Sequence, residues 1–239
     1  MKSLIRDNQQ FLKVISTSFN QFINVGTSRS PIKLKPLHGA IAEDLAKLLG
    51  SDFTVCAQGY DDNKEGTIQG QYMDKKVDIA VYKESNPVAG IEVKFIMQNY
   101  SQNSNNYFEN MLGETANIRS AGCPFFHITI ILDCLPYYDK QGKIKKWETF
   151  TSNNAKKYTA LSADNPYTFY HTPNKTLICV VHIPDCTSLS DKQHYIEHYK
   201  SCNPALTFST NKYNKFGSSV ILNDYSSFMV KVYHTVMAQ

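Results

Sequence analysis

An α/β domain with a central mixed sheet flanked by helices is what the sequence predicts, and three observations carry that expectation. Between about residues 37 and 132 the patterns run helix, strand, hairpin, helix, strand, an αβββαβ order. The last of these strands, Phe125 to Leu132 (FFHITIIL), is nearly all apolar, as a strand covered on both faces must be. The hairpin comes from two runs rich in β-branched residues, Val77 to Tyr82 and Val88 to Ile96, around the polar segment Lys83 to Pro87 with its turn-forming Asn-Pro pair. With 239 residues the chain is long enough to bury a proper core as a single domain, residues 133–239 packing on the core and adding a recognition surface.

Ser3 to Val25 places Phe11, Ile15, Phe19, Phe22 and other apolar residues at helical spacing, an amphipathic helix ending near Gly26. Gly26 to Pro36 reads as a loop whose Arg29, Lys33 and Lys35 are available to a phosphate backbone or to water. The buried stripe of a second helix is Leu37, Ile41, Leu45, Leu48 and Leu49, closed by Gly50. Phe53 to Ala57 is a strand, and Tyr60 to Gly70 a charged loop whose Asp61 and Asp62 are surface residues. Gln98 to Asn106 reads as a polar connector, with Gln98 and Asn99 as candidate base readers because carboxamides pair bidentately with adenine. Tyr107 to Ala121 is a third helix, capped by Asn106. In the second half, Asp139 to Trp147 is a lysine-rich turn in which Lys143, Lys145 and Lys146 suit a phosphate-contacting surface. Thr176 to Ile183 is a strand, Asp191 to Lys200 a helix, and Ser226 to Met237 a helix or a strand.

The chemistry lies in the hairpin. Side chains alternate along a strand, so Asp78 stands opposite in parity to Val77, Ile79 and Val81, while Glu92 and Lys94 stand opposite to Ile91, Val93 and Phe95. Three charges then share one face of a buried hairpin. Ionised carboxylates in a sheet must be paired or bound to a cation, and two held close repel unless one is protonated or a metal lies between them. A hard divalent ion takes oxygen ligands from one or two carboxylates plus water and phosphate, which Asp78 and Glu92 fit. Lys94 lies beside them, placed to stabilise a charged transition state or to help deprotonate water.

Asp78, thirteen intervening residues, and then Glu92-Val93-Lys94 resemble the signature of the PD-(D/E)xK nuclease superfamily, most of all its type II restriction endonucleases; Val77 stands where the motif usually has proline. The resemblance covers roughly Leu37 to Leu132 and implies a restriction-endonuclease-like core. It further implies a Mg²⁺-dependent endodeoxyribonuclease, with Mn²⁺ able to substitute. Asp78 and Glu92 would bind the metal with the Val93 carbonyl, Lys94 would activate water, and Glu43, on the preceding helix, would assist. Double-stranded DNA would be the partner, and a palindromic target would make the protein a homodimer. A nonspecific repair or antiphage nuclease, a nuclease acting on RNA and a non-catalytic nucleic-acid-binding module share these features.

Composition places bounds on this. Apolar residues make up 42%, charged residues 19%, and the net charge of +4 suits a polyanion without requiring one. No apolar run reaches membrane-spanning length and the N-terminus lacks a signal-like stretch, so the expected location is cytoplasmic with no membrane partner. The six cysteines form no CxxC pair and are expected to be reduced thiols. His182, Cys186, His194, His198 and Cys202 match no zinc spacing, and structural zinc is not expected. His38 reads as a cap-region residue.

Overall fold

A computed structural model describes residues 4–27, 30–61, 64–184 and 188–239. Arg29, Asp62 and Cys186, weighed above, lie outside these residues. The architecture is α/β, with a central mixed sheet between two layers of helices.

The first helix, α1 (Asn8–Val25), starts later than the periodicity predicts. Asp7 caps it, accepting from the Gln10 amide while the Gln10 side chain accepts from the Asp7 amide. The expected loop after it holds a 3-10 turn, Pro31–Leu34, that runs directly into α2 (Lys35–Leu49). Strand β1 (Phe53–Ala57) is as expected. The charged segment beyond it contains a strand that its composition conceals, β2 (Gly66–Ile68), paired with β3 (Lys75–Val77).

The hairpin is β4 (Ile79–Lys83) and β5 (Asn86–Ile96). Its turn is Glu84-Ser85, both at positive φ (48° and 70°), a mirror-image two-residue turn. Asn86 and Pro87 belong to the strand, with Pro87 opposite Tyr82, so the expected Asn-Pro turn is corrected by two residues. The third helix, α3 (Tyr100–Ser120), begins well before the predicted Tyr107 and takes in most of the supposed connector. Its first turn is satisfied from another element. The buried Glu148 carboxylate accepts from the Ser101 amide at 3.2 and 3.3 Å.

Strand β6 (Phe125–Leu132) is buried along its whole length. A separate hairpin, β7 (Cys134–Tyr138) and β8 (Ile144–Thr149), carries the lysine-rich turn, and α4 (Ser152–Ala163) follows. The remainder is β9 (Lys175–His182), α5 (Lys192–Cys202), β10 (Thr207–Phe208), β11 (Val220–Leu222) and α6 (Tyr225–Val236), the last a helix.

The main sheet runs β1-β4-β5-β6-β9-β10, with β11 also on β9. β1, β4 and β5 are antiparallel; β5, β6, β9 and β11 run parallel. One face holds Ile91, Val93 and Phe95 and belongs to the main core, where Phe126 meets Phe228 of α6 edge-on at 6.2 Å. The other face lies under α3 and α4. It carries Glu92, Lys94, His127 and Thr129, whose register pairs Glu92 with His127 and Lys94 with Thr129. Among the described residues no helix is long and apolar enough to cross a membrane.

Candidate active site

Asp78 occupies the step between β3 and β4, and the pairing of Ile79 with Ile91 sets it beside Glu92. Its Oδ2 accepts from the Val93 amide at 2.8 Å, which fixes the carboxylate against β5. Burial first, and then the Asp78 charge, push the Glu92 carboxyl far above the usual carboxylate range. The pair thus has the electrostatics that the alternation of side chains predicts: two acids on one face, one of them strongly disfavoured as an anion.

The counter-charge close to Glu92 is Lys75, at the start of β3. Its Nζ lies 3.9 Å from Glu92 Oε1 and 2.6 Å from Glu114 Oε1 on α3. Burial pulls the Lys75 pKa down, but the Glu114 hydrogen bond and the charge of Glu92 outweigh it, and the ammonium form is favoured. Neither Lys75 nor Glu114 is flagged by the hairpin motif. Their signal is weak: Lys75 shares the Asp78–Val77 strand segment, and Glu114 falls one helical turn from Asn110, which lines the same hollow.

His38 is the α2 side chain that faces the acids. It is 4% exposed, and its Nε2 lies 3.7 Å from Asp78 Oδ1, a neighbour beyond hydrogen-bond reach. Both ring nitrogens are buried and unbonded, and burial keeps the ring neutral against the opposing pull of Asp78 and Glu65. The next residue, Gly39, lets α2 sit against the loop after β1: a Cβ there would come within 2.3 Å of the Gly59 carbonyl oxygen. His38 is therefore an interior residue, not the cap-region residue that its place in the sequence suggests.

Glu43, expected to assist, is held elsewhere. It hydrogen-bonds Arg6 and, at 2.7 Å, Lys47, and these two partners hold its carboxyl down to about 2. Five residues separate it from His38, well over a third of a helical turn away, so α2 turns one to the acids and the other to Arg6.

Lys94 lies across a hollow of about 130 Å³ bounded by Glu92, Glu114, His127, Thr129 and Tyr158. Its Nζ sits 4.4 Å from the centre of the Tyr107 ring, a cation–π contact. Val93, whose side chain is in the opposite core, borders this hollow through its main chain. His127 lies directly beside Glu92 in register, with Nε2 buried and unbonded, and burial drives its pKa down to about 3. A polar residue inside FFHITIIL, with parity opposite to Phe126 and Ile128, is the readable mark of this position.

The candidate nucleic-acid residues divide. Asn99 is committed internally: it sits in the left-handed region (φ 51°) and its Oδ1 accepts from the Tyr138 amide at 2.8 Å. Gln98 lines a second hollow together with Lys94. Lys146 reaches Glu148 at 3.4 Å beside the start of α3, whereas Lys143 pairs through its backbone with Asp191 at the start of α5, and the Lys143 and Lys145 side chains are exposed. The basic turn is thus spread over a hairpin and does not converge on the acids. Of the histidines and cysteines weighed for zinc, His182 contacts Asp133 at 3.2 Å, His194 contacts Ser190 at 3.3 Å, and Cys202 is exposed.

Asp78 and Glu92 offer hard oxygen donors, and the cost of leaving them as neighbours is the cost a divalent cation removes. In donor type they fit such an ion. Among the described residues no three His, Cys, Asp or Glu side chains form a group that could hold a metal. The class of protein these features define is an α/β chain with an acid pair, a lysine and the neutral imidazole of His127 at one sheet face, and a second neutral imidazole, His38 of α2, beside Asp78. No family model, no curated protein and no solved structure matches the chain.

Proposed function

We propose that the protein is a metal-dependent nuclease that hydrolyses phosphodiester bonds in double-stranded DNA, of the PD-(D/E)xK kind. The observation that carries this reading is the Asp78–Glu92 pair, with Lys94 two residues further along the same face of β5. The sequence of elements α2, β1, β4, β5, α3, β6 supports it, since the restriction-endonuclease-like core has that order.

In this reading Asp78 and Glu92 would hold Mg²⁺ or Mn²⁺, with the Val93 carbonyl as a further oxygen donor. The ion, when bound, supplies Lewis-acid polarisation of a phosphoryl oxygen and lowers the pKa of its water. The rest falls to the chain. The Val93 amide fixes Asp78, and the neutral ring of His38 stands behind it as a wall. Lys94 offers an ammonium to the charge that builds on the non-bridging phosphoryl oxygens as water adds and the alkoxide leaves. Lys75 balances the charge of the acids and holds Glu114.

Unmethylated phage DNA incubated with the protein in Mg²⁺, Mn²⁺ or EDTA tests the reading, with Lys94→Ala and Asp78→Asn in parallel. The expected outcome is cutting that requires the ion and drops at least a hundredfold in either variant. Discrete fragments identify a type II restriction enzyme, for which a homodimer seen in solution would place one site on each strand. A smear identifies a nonspecific nuclease, the outcome that the internal commitment of Asn99 favours. Intact DNA with every ion overturns the reading.

A further inference from the structure

The like-charge argument made for Asp78 and Glu92 applies with the opposite sign next door. Lys33, on the 3-10 turn before α2, is 7% exposed. With Lys94, Gln98, Asn103 and Tyr107 it lines a hollow of about 190 Å³. Lys94, Ile96 and Tyr107 line the hollow of the acids as well, so the two spaces share a wall. Burial, and then the neighbouring Lys94 amine, pull the Lys33 pKa down.

Two ammonium groups that border one partly enclosed space repel each other, and an anion between them turns that repulsion into attraction. The space is several times the roughly 30 Å³ of one liquid water, enough for a tetrahedral oxyanion with part of its hydration. A polar side chain also lines the space: Asn103 donates to the Asn99 carbonyl at 3.3 Å and hydrogen-bonds the Tyr107 side chain. Lys94 stands about 7 Å along β5 from Glu92, so an anion here and a reacting phosphate at the acids would be close neighbours.

We propose that this hollow is a phosphate subsite, holding the backbone phosphate next to the one placed at Asp78 and Glu92, with Lys94 between the two. The identity of the anion as a nucleic-acid phosphate rests on the nuclease reading. The hollow and its two amines do not.

The probe is inorganic pyrophosphate, added to the metal-free protein while the ζ-nitrogen NMR signals of its lysines are followed. Lys33 and Lys94 are expected to shift together and to saturate, while the exposed Lys143 and Lys145 stay in place. In EDTA, Lys33→Gln should bind a short DNA duplex several-fold more weakly than the natural chain. The slope of its log affinity against log salt should be shallower by about 0.9, the signature of one lost phosphate contact. Lys33→Arg should restore both. A saturating pyrophosphate titration that leaves the Lys33 signal unmoved overturns the subsite, as does a folded Lys33→Gln with the natural affinity and slope, even where ion-dependent cutting is intact. Lys33-dependent binding with no cutting in any ion leaves the subsite standing and discards the nuclease reading.

Discussion

A carboxylate's neighbours decide what it does, and Glu43 and Glu92 show this within one chain. Glu43 accepts from Arg6 and Lys47 at a surface where its side chain is 41% exposed; Glu92 is largely buried beside a second acid. Hydrogen bonds depress the first pKa, and desolvation with like charge raises the second. The folded pKa of Glu43, about 2, lies below its unfolded value, so its contribution to stability is present above pH 4.5 and is lost as pH falls through 2. At such exposure it is worth under about 1 kcal/mol. Glu43→Gln should therefore flatten acid unfolding slightly between those pH values, read by circular dichroism, and should leave ion-dependent stabilisation untouched. Glu92→Gln should do the reverse: if the proposed metal site is correct, Mn²⁺ should raise the melting temperature of the natural chain and not that of the variant. A Glu43→Gln protein that loses the Mn²⁺ effect would return Glu43 to the proposed metal site. The acids and Lys94 are legible from strand parity; His38 and Lys75 are not, because their approach depends on where α2 and β3 land.

At the scale of elements, turn geometry and helix ends account for most departures from the sequence pattern. Asn-Pro looks like a turn, yet the chain reverses at Glu84-Ser85, since a two-residue mirror-image turn matches the twist of the strands. Neither residue suits positive φ. Glu84→Asn with Ser85→Gly should stabilise the hairpin by about 1 kcal/mol, measured by urea unfolding; an unchanged or lower midpoint would place the turn elsewhere. Helix α3 extends through Gln98–Asn106 territory because partners outside the helix complete its first turn. Asn99 is held by Pro136 and Tyr138, and Ser101 by Glu148. A run of Asn, Gln and Ser has low intrinsic helicity. Long-range hydrogen bonds supply what the local sequence lacks, and such bonds are invisible to a window of neighbouring residues.

Across the whole molecule, the two ends of the described chain meet at one buried cluster. Asp44 of α2 accepts from Arg6 at 2.7 Å and from the Tyr225 hydroxyl at 2.8 Å, and the Tyr225 ring stacks on Phe11 at 3.8 Å. The cluster ties α1, α2 and α6 against the face of the sheet opposite the acids. Asp44→Ala leaves the Arg6 guanidinium without its buried partner and should cost about 3 kcal/mol; Tyr225→Phe, which keeps the ring and the ion pair, should cost about 1 kcal/mol. Unfolding in denaturant separates these values, and equal costs would show that the ion pair contributes little beyond the hydroxyl.

The sequence by itself determined the α/β class, the strands β1, β6 and β9, the helical stripe of α2, and the face shared by Glu92 and Lys94. All of these follow from the periods of 2 and 3.6, which are local properties of the backbone. Tertiary structure alone decided that His38 and not Glu43 faces Asp78, that Lys75 and Glu114 lie against the acids, and that Lys33 meets Lys94 at a second hollow. Those meetings join residues tens of positions apart. Helix packing, strand register and the close approach at Gly39 set them, and no periodicity in the chain encodes such distances.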